Sequence, residues 1–474
     1  MKEENSAISN SARSGEPQKA GPELTRREPH ERLADVLAQF IREIDSLAST
    51  FPLTSDTIRS ANRKAAGEIA RFLQEHATPV MRPDSAGSDD TGAVRFEIHE
   101  GQESKFESLN RIFSRTAMAA VLVPTSLFVA LISQYDSYLG MLIKTLLLFR
   151  PEILNGSEKT LRFSDIVEFD SIEAARDHII EKEIGAILRE SHAEHFDWME
   201  SKFDLKLRKD LPVWPEFIEI TERRNLFVHT GGVVSAQYLK VCGGPTTTHL
   251  GVEKGKRLAV ELAYFERAYE VLFEIGVKLA HVLWRKLMPN KLKEADQNLL
   301  KISFDLIVEG KYSLAIILLD FATTILKKQS SADYRLRFVV NRAQAYKWSG
   351  NVSRALEILN AEDFSAAKAV FRLAEAVLRD DFERALLAVR EIGSSGEIGI
   401  VEYREWPLFK EFRKDDKFAN IIFEIFNLPL HEVSLKTATG ELSPGSDEST
   451  KVNSSAASEN DSQNAASAKD TLIM

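Results

Sequence analysis

Cysteine is almost missing from this chain: Cys242 is the only one among 474 residues. That excludes an intramolecular disulfide and any zinc site built from several thiolates. A basic surplus is missing as well. The formal net charge is −10 at neutral pH, so no global cationic field marks a nucleic-acid binder, and any such site must be a local cleft. The opening residues MKEENSAISNSARSGEPQ hold no apolar core of the kind a signal peptide needs. A cytoplasmic protein is the expectation. There is no nucleophile elbow and no dinucleotide fingerprint. The run from Gly251 to Lys256 has the wrong spacing for a phosphate loop, and no Ser or Thr follows Lys256. His192 and His195, with Glu194 and Asp197, are spaced as on one helical face. They read as a solvated face rather than a metal site, and neither metal nor cofactor is expected.

What is present is ordinary for a soluble protein of two or three domains: 44% hydrophobic and 28% charged residues. One segment competes with that reading. Ala117 to Phe149 is apolar enough to span a bilayer, but Pro124, Gln134, Asp136 and Lys144 interrupt it. Intramembrane Asp and Lys are costly, so a helix buried in a bundle, or in a dimer interface, explains the run better. No membrane is expected as a partner.

Along the chain, residues 1–30 are polar and predict disorder. An N-terminal helical segment and linker follow over 31–100. It comprises two amphipathic helices, at 31–50 and 55–76, the second capped by Ser55-Asp56. A polar linker runs from Arg82 to Gly92, and Ala93 to His99 alternates weakly, as a short strand would. From 103 to 290 the pattern is helical, with helices expected near 120–149, 170–190, 190–208, 214–229 and 257–287. Beyond Pro289 a motif recurs. Gly310-Lys311-Tyr312-Ser313-Leu314-Ala315 returns as Gly350 to Ala355 and again as Asp380 to Ala385. Each copy places a turn residue five before an alanine, where two antiparallel helices can cross closely. Over 294–430 this resembles irregular tetratricopeptide-like helical hairpins, with Ala343 and Tyr346 at small and aromatic positions. Trp406-Pro407-Leu408-Phe409 and Phe418 read as a closing cap. The tail 432–474 is low-complexity and predicts disorder.

The stretch that carries chemistry is Arg224-Asn225-Leu226-Phe227-Val228-His229, just before Thr230-Gly231-Gly232. Asn225 and His229 are four apart and share a helical face. Arg224 is turned away by roughly 140°, but its long fork can swing back. A permanent, phosphate-shaped donor beside a group that titrates near neutrality suits cleavage of a phosphodiester. The plain reading of an Arg and a His on one helix is that they cap and bridge helices.

The R-N-x-x-x-H pattern before a Gly-Gly stop resembles the HEPN superfamily of all-α domains, many of them metal-independent ribonucleases of bacterial defence and toxin systems. The upstream string LISQYDSYLGMLIKTLL, with Asp136, is similar to the first long helix of that fold. The resemblance implies an all-α HEPN-like bundle over 103–290 and an endoribonuclease acting on RNA. His229 would be base or acid, Arg224 would hold the phosphate, and Asn225 would orient the imidazole or bond a facing helix. Asp136 would meet Arg224, as orienter or as a plain buried ion pair. It further implies a homodimer through the bundle, with both copies of His229 over one composite cleft. A Tyr two residues after the His can be modified in one variant of the superfamily. Here Gly231 holds that position, and Tyr238 reads as a packing aromatic. The rival reading is a non-catalytic scaffold or nucleotide-binding module of the same fold. In either reading the hairpins supply a surface for a protein partner.

Overall fold

The structure is a computed structural model that describes residues 27–80, 95–156, 162–209, 211–243 and 252–431. The expectations for residues 1–26, for the linker at 82–92 and for the tail at 432–474 lie outside these residues. Among the described residues the fold is all-α except for one two-stranded ribbon.

Two long helices dominate the first half. Helix α1 (Pro29–His76) runs into strand β1 (Ala77–Val80), and strand β2 (Arg95–Ile98) leads to helix α2 (Glu103–Phe149). The strands pair antiparallel, Ala77 opposite Ile98 and Val80 opposite Arg95, so the helices form one antiparallel hairpin. At 1.5 Å per residue each helix is about 70 Å long. The two helices expected at 31–50 and 55–76 are therefore one. Pro52 lies inside it, and Ser55 is a buried mid-helix residue rather than a cap. Packing along α2 overrides the local helix-breaking signals. Helix α2 likewise starts well before residue 120 and passes through Pro124.

The apolar run in α2 is divided between two environments. From Phe128 onward its inward face is buried, whereas Met118, Val121 and Leu122 are more than half exposed on the outer part of the hairpin. Next come α3 (Phe163–Val167), α4 (Ile172–Ile187), α5 (His192–Phe203), α6 (Trp214–Thr230), α7 (Ala236–Cys242) and α8 (Leu262–Leu287). Aromatic rings lock α1 and α2 to α8. Phe40 stacks on Tyr138 at 4.3 Å, Phe51 stacks on Phe265 at 4.0 Å, and the Tyr138 hydroxyl donates to the Gly276 carbonyl at 2.8 Å. A Cβ at Gly276 would stand 2.4 Å from the Phe40 ring, so this approach of α1 to α8 requires glycine.

The second half is a series of helical hairpins: α9 (Leu292–Val308) with α10 (Tyr312–Asp320), α11 (Ala332–Trp348) with α12 (Val352–Asn360), and α13 (Ala369–Leu378) with α14 (Phe382–Ile392). The recurring motif marks all three turns. Gly310, Gly350 and Asp380 have φ of 75°, 93° and 60°. Each following residue donates to the carbonyl five back: Lys311 to Leu306, Asn351 to Tyr346 and Asp381 to Ala376, at 2.8–2.9 Å. This is the same left-handed helix stop three times. The motif alanines Ala315, Ala355 and Ala385 are buried at the crossings. Helices α15 (Ile400–Glu405) and α16 (Asp416–Phe426) close the end around Tyr403, Trp406, Phe409 and Phe418. No break in the apolar core falls at residue 290. The first core runs from Leu33 through α8 into Leu299, Leu314, Phe338 and Ala345. The segment 31–100 is likewise continuous with the bundle through α1.

Candidate functional site

Helix α6 is bounded by its own sequence. Pro215 sits in its first turn, where no backbone donor is needed. Gly231 ends it in the left-handed region with φ 59°, and the Gly232 amide donates to the Leu226 carbonyl at 3.0 Å. Gly232 is needed for a second reason, since a Cβ there would lie 2.8 Å from the Phe227 ring. Beyond the stop, residues 232–234 pair with 255–258, fastening the end of α6.

One side of α6 is held by a buried polar network. Glu219 accepts from Arg223 Nε at 2.7 Å, from the Tyr238 hydroxyl at 2.5 Å and from the Tyr264 hydroxyl at 2.7 Å. The Arg223 guanidinium lies 3.8 Å from the centre of the Tyr264 ring. Tyr238 is thus a buried packing aromatic, as its place in the sequence suggested. Burial raises the Tyr238 hydroxyl above its ordinary range, and lifts the Cys242 thiol beside it to about 12. Cys242 is accordingly a protonated core residue.

The other side of α6 faces an open cleft of about 530 Å³ between α2, α5, α6 and the start of α7. Asp136, Arg224, Asn225 and His229 all line it. Arg224 Nη2 donates to Asp136 Oδ2 at 3.0 Å, and Nη1 donates to Asn225 Oδ1 at 3.2 Å. Asn225 therefore braces the guanidinium rather than the imidazole. The Asp136–Arg224 pair is about one-quarter exposed, so it belongs to the cleft wall and not to a closed core. His229 is exposed at the rim. Arg224 Nε is shielded from solvent and has no acceptor, an open donor in the wall.

A further residue completes this constellation. His192 Nε2 lies 2.8 Å from Asp136 Oδ1, so one carboxylate is held from two helices, by the guanidinium of Arg224 on α6 and the imidazole of His192 on α5. Ser191 and Glu194 form a reciprocal cap at the start of α5, which seats His192 at the first helical position. His192 and His195 are buried, which corrects the solvated-face expectation. Burial, followed by the neighbouring His192, pushes His195 down to about 4, so it is a neutral ring at ordinary pH. The Ser-x-x-Glu box was the available signal, because it places the next residue against whatever the helix start meets. The four-residue acidic and imidazole cluster is otherwise dispersed: Glu194 caps α5 and Asp197 pairs with Arg208 at 2.5 Å. Among the described residues no three His, Cys, Asp or Glu side chains are placed to hold a metal ion.

The cleft's fixed charges are two arginines, Arg189 and Arg224, against Asp136, Glu190 and Glu222, with three imidazoles among them. Burial raises the Glu222 carboxyl above its ordinary value, partly countered by His192 and Asn225. Carboxylates thus outnumber arginines in the wall, and the cleft is not a broadly basic groove.

Fold and cleft together define a class: an all-α protein with a polar imidazole–guanidinium–carboxylate cleft in its bundle and a helical-hairpin extension. Compared with family models, with curated proteins and with solved structures, the chain matches none.

Proposed function

We propose that this chain is a metal-independent endoribonuclease of HEPN type. The observation that carries the reading is the meeting of Arg224, Asn225, Asp136 and His229 in one open cleft. In the proposed reaction a ribose 2′-hydroxyl loses its proton and its oxygen attacks the adjacent phosphorus. The 5′-oxygen then leaves with a proton, and a 2′,3′-cyclic phosphate remains. His229, exposed at the rim, serves as the base or as the acid for the leaving oxygen. Arg224 stabilises charge on the non-bridging oxygens, and its unfilled Nε–H is a donor already shielded from water. Asp136 and Asn225 hold the guanidinium in place, and His192 holds the far oxygen of Asp136. Val228, half-exposed beside His229, would meet the second protomer of a homodimer with a composite cleft. The helical hairpins would present a protein partner with its surface, in a bacterial defence or toxin setting.

One observation favours the rival, a non-catalytic scaffold of the same fold. The Arg224 fork is already bound to Asp136, and carboxylates outnumber arginines in the cleft. Incubating the protein with mixed single-stranded and transfer RNAs, with and without EDTA, separates the two readings. The nuclease reading expects EDTA-resistant cutting with cyclic phosphate ends that is lost in His229→Ala at unchanged melting temperature. Equal cutting by the variant would sink it.

A further inference from the structure

Beyond the body of the protein, α1 and α2 run on as a two-helix arm. The Thr116 hydroxyl donates to Asn62 Oδ1 at 3.1 Å, and the Phe72 and Phe106 rings lie 6.0 Å apart, which fixes the level of one helix on the other. One face of α2 in this arm, turned away from α1, is bare. Only 22% of the residues in the most apolar 18-residue stretch of α2 are buried. Met118, Val121 and Leu122 are more than half exposed.

The bare face has a regular pattern. Arg111, Arg115, Met118, Leu122, Thr125 and Val129 recur at alternating steps of four and three, the spacing of a seam between paired helices. The first four are exposed and the last two partly so. The Thr125 hydroxyl already donates to the Val121 carbonyl at 2.9 Å, so covering it leaves no polar group unpaired. The same spacing continues through buried Ile132 to Asp136 in the cleft wall. Where the bare stretch meets the body, Phe128 holds the Phe227 ring edge-on at 5.7 Å, next to Val228 and His229 of the cleft rim.

Charge names the occupant. Between Leu53 and Phe72 on α1, and Phe106 and Thr125 on α2, six basic residues stand against three acidic ones, in a chain of net charge −10. The cleft has the opposite balance, with Asp136, Glu190 and Glu222 against Arg189 and Arg224. The arm of one copy thus suits the cleft of another. A bilayer suits it less, since Arg111 and Arg115 lie in the seam itself and Arg59, Arg63 and Lys64 lie at the same level on α1.

We propose that the arm is a self-association surface on which the α2 seams of two copies pack antiparallel. A parallel pair would set Arg111 on Arg111 and Arg115 on Arg115. The antiparallel pair avoids this. With Leu122 opposite Thr125 and Met118 opposite Val129, each arm carries Arg115 and Arg111 past the other's Val129 to the cleft mouth beside Asp136. Arg111 is tied to Glu107 of its own helix at 3.6 Å, an exposed pair weak enough to yield. Each cleft then holds four arginines against three carboxylates, two of the arginines coming from the partner. The two clefts lie about 38 Å apart along α2, so each has one His229 and is composite through the partner's arm. This pairing gives a form to the homodimer of the ribonuclease reading, yet it rests on the arm alone, and its test involves no RNA.

The full chain should scatter light as a dimer, at twice 53.3 kDa, in the micromolar range. Leu122→Glu, at an exposed position, should give a monomer of unchanged helix content. Arg111→Glu combined with Arg115→Glu should weaken association at least about tenfold. Orientation is read from single added cysteines with a short thiol cross-linker, the native Cys242 being buried. Leu122→Cys, beside the two-fold axis, should link the copies, whereas Arg115→Cys, about 26 Å along α2 from its counterpart, should not. A monomeric wild-type chain would overturn the proposal. So would a dimer that persists in Leu122→Glu, an association unmoved by the arginine variant, or linking through Arg115→Cys. A monomer that floats with phosphatidylserine vesicles, and ceases to in Leu122→Glu, would overturn it by making the face a lipid surface.

Discussion

Arg223 and Arg224 are neighbours that point into different surroundings. About 100° of helical rotation sends Arg223 into the buried network on Glu219 and leaves Arg224 in the cleft. Arg223 thus serves the fold, and Arg224 is the one left to the cleft. Glu219→Gln should lower stability by roughly 3 kcal/mol, because it strands a buried guanidinium and weakens two tyrosine bonds. A loss under about 1 kcal/mol in chemical denaturation would mean the network matters little. His281 allows a second prediction at this scale. Its pKa falls from an ordinary 6.5 to about 3 on folding, so between those values the unfolded chain binds the proton and the folded one does not. Stability is then complete above the unfolded value and drops as pH falls from about 6.5 toward 3, at up to about 1.4 kcal/mol per unit. His195 adds to the slope down to about 4. Melting of His281→Phe across this window should show a shallower decline than the wild type; parallel curves would contradict it. The meeting of Asp136, Arg224, Asn225 and His229 in one cleft was legible because three of them share one motif on α6 and the fourth is the one acidic residue in the apolar run of α2. His192 was not, since its partner is 56 residues away and only the packing of α5 on α2 brings them together.

At the scale of elements, the helix stops were the most legible feature. Gly231, Gly310, Gly350 and Asp380 all adopt positive φ and end their helices where the sequence placed a turn. Such a stop is local chemistry, since the residue that tolerates this conformation carries the information itself. The continuity of α1 was not legible. Pro52 and Ser55 read locally as a break, and only long-range packing on α2 and α8 keeps the helix whole. The turns can be tested cleanly. A Cβ at Gly350 would meet nothing within 4 Å, so Gly350→Ala changes only the backbone conformation, at φ 93°. It should cost about 1–2 kcal/mol through that strain alone. Gly67→Ala, in the middle of α1 with equally open surroundings and no positive φ, should instead be neutral or stabilising. Equal effects of the two substitutions would show that the left-handed stop is not what Gly350 provides.

At the scale of the whole molecule, α11 decides how the halves are joined. Phe338 and Ala345 on this helix belong to the first core, while Val339, Val340 and Ala343 belong to the second. One helix thus supplies a face to each, and neither core can lose it without exposing buried apolar surface. That geometry argues against independent domains meeting at residue 290 and for coupled unfolding. The tryptophans divide usefully between the cores. Trp284 is buried in the first and Trp406 in the second. Phe338→Ala removes a ring that is completely buried, and large-to-small changes of this kind cost about 3–5 kcal/mol. If α11 couples the cores, denaturation of this variant should move the Trp284 and Trp406 transitions together, each read in a chain that keeps only that tryptophan. A shifted Trp284 midpoint beside an unmoved Trp406 midpoint would mean that the hairpins beyond α11 stand on their own.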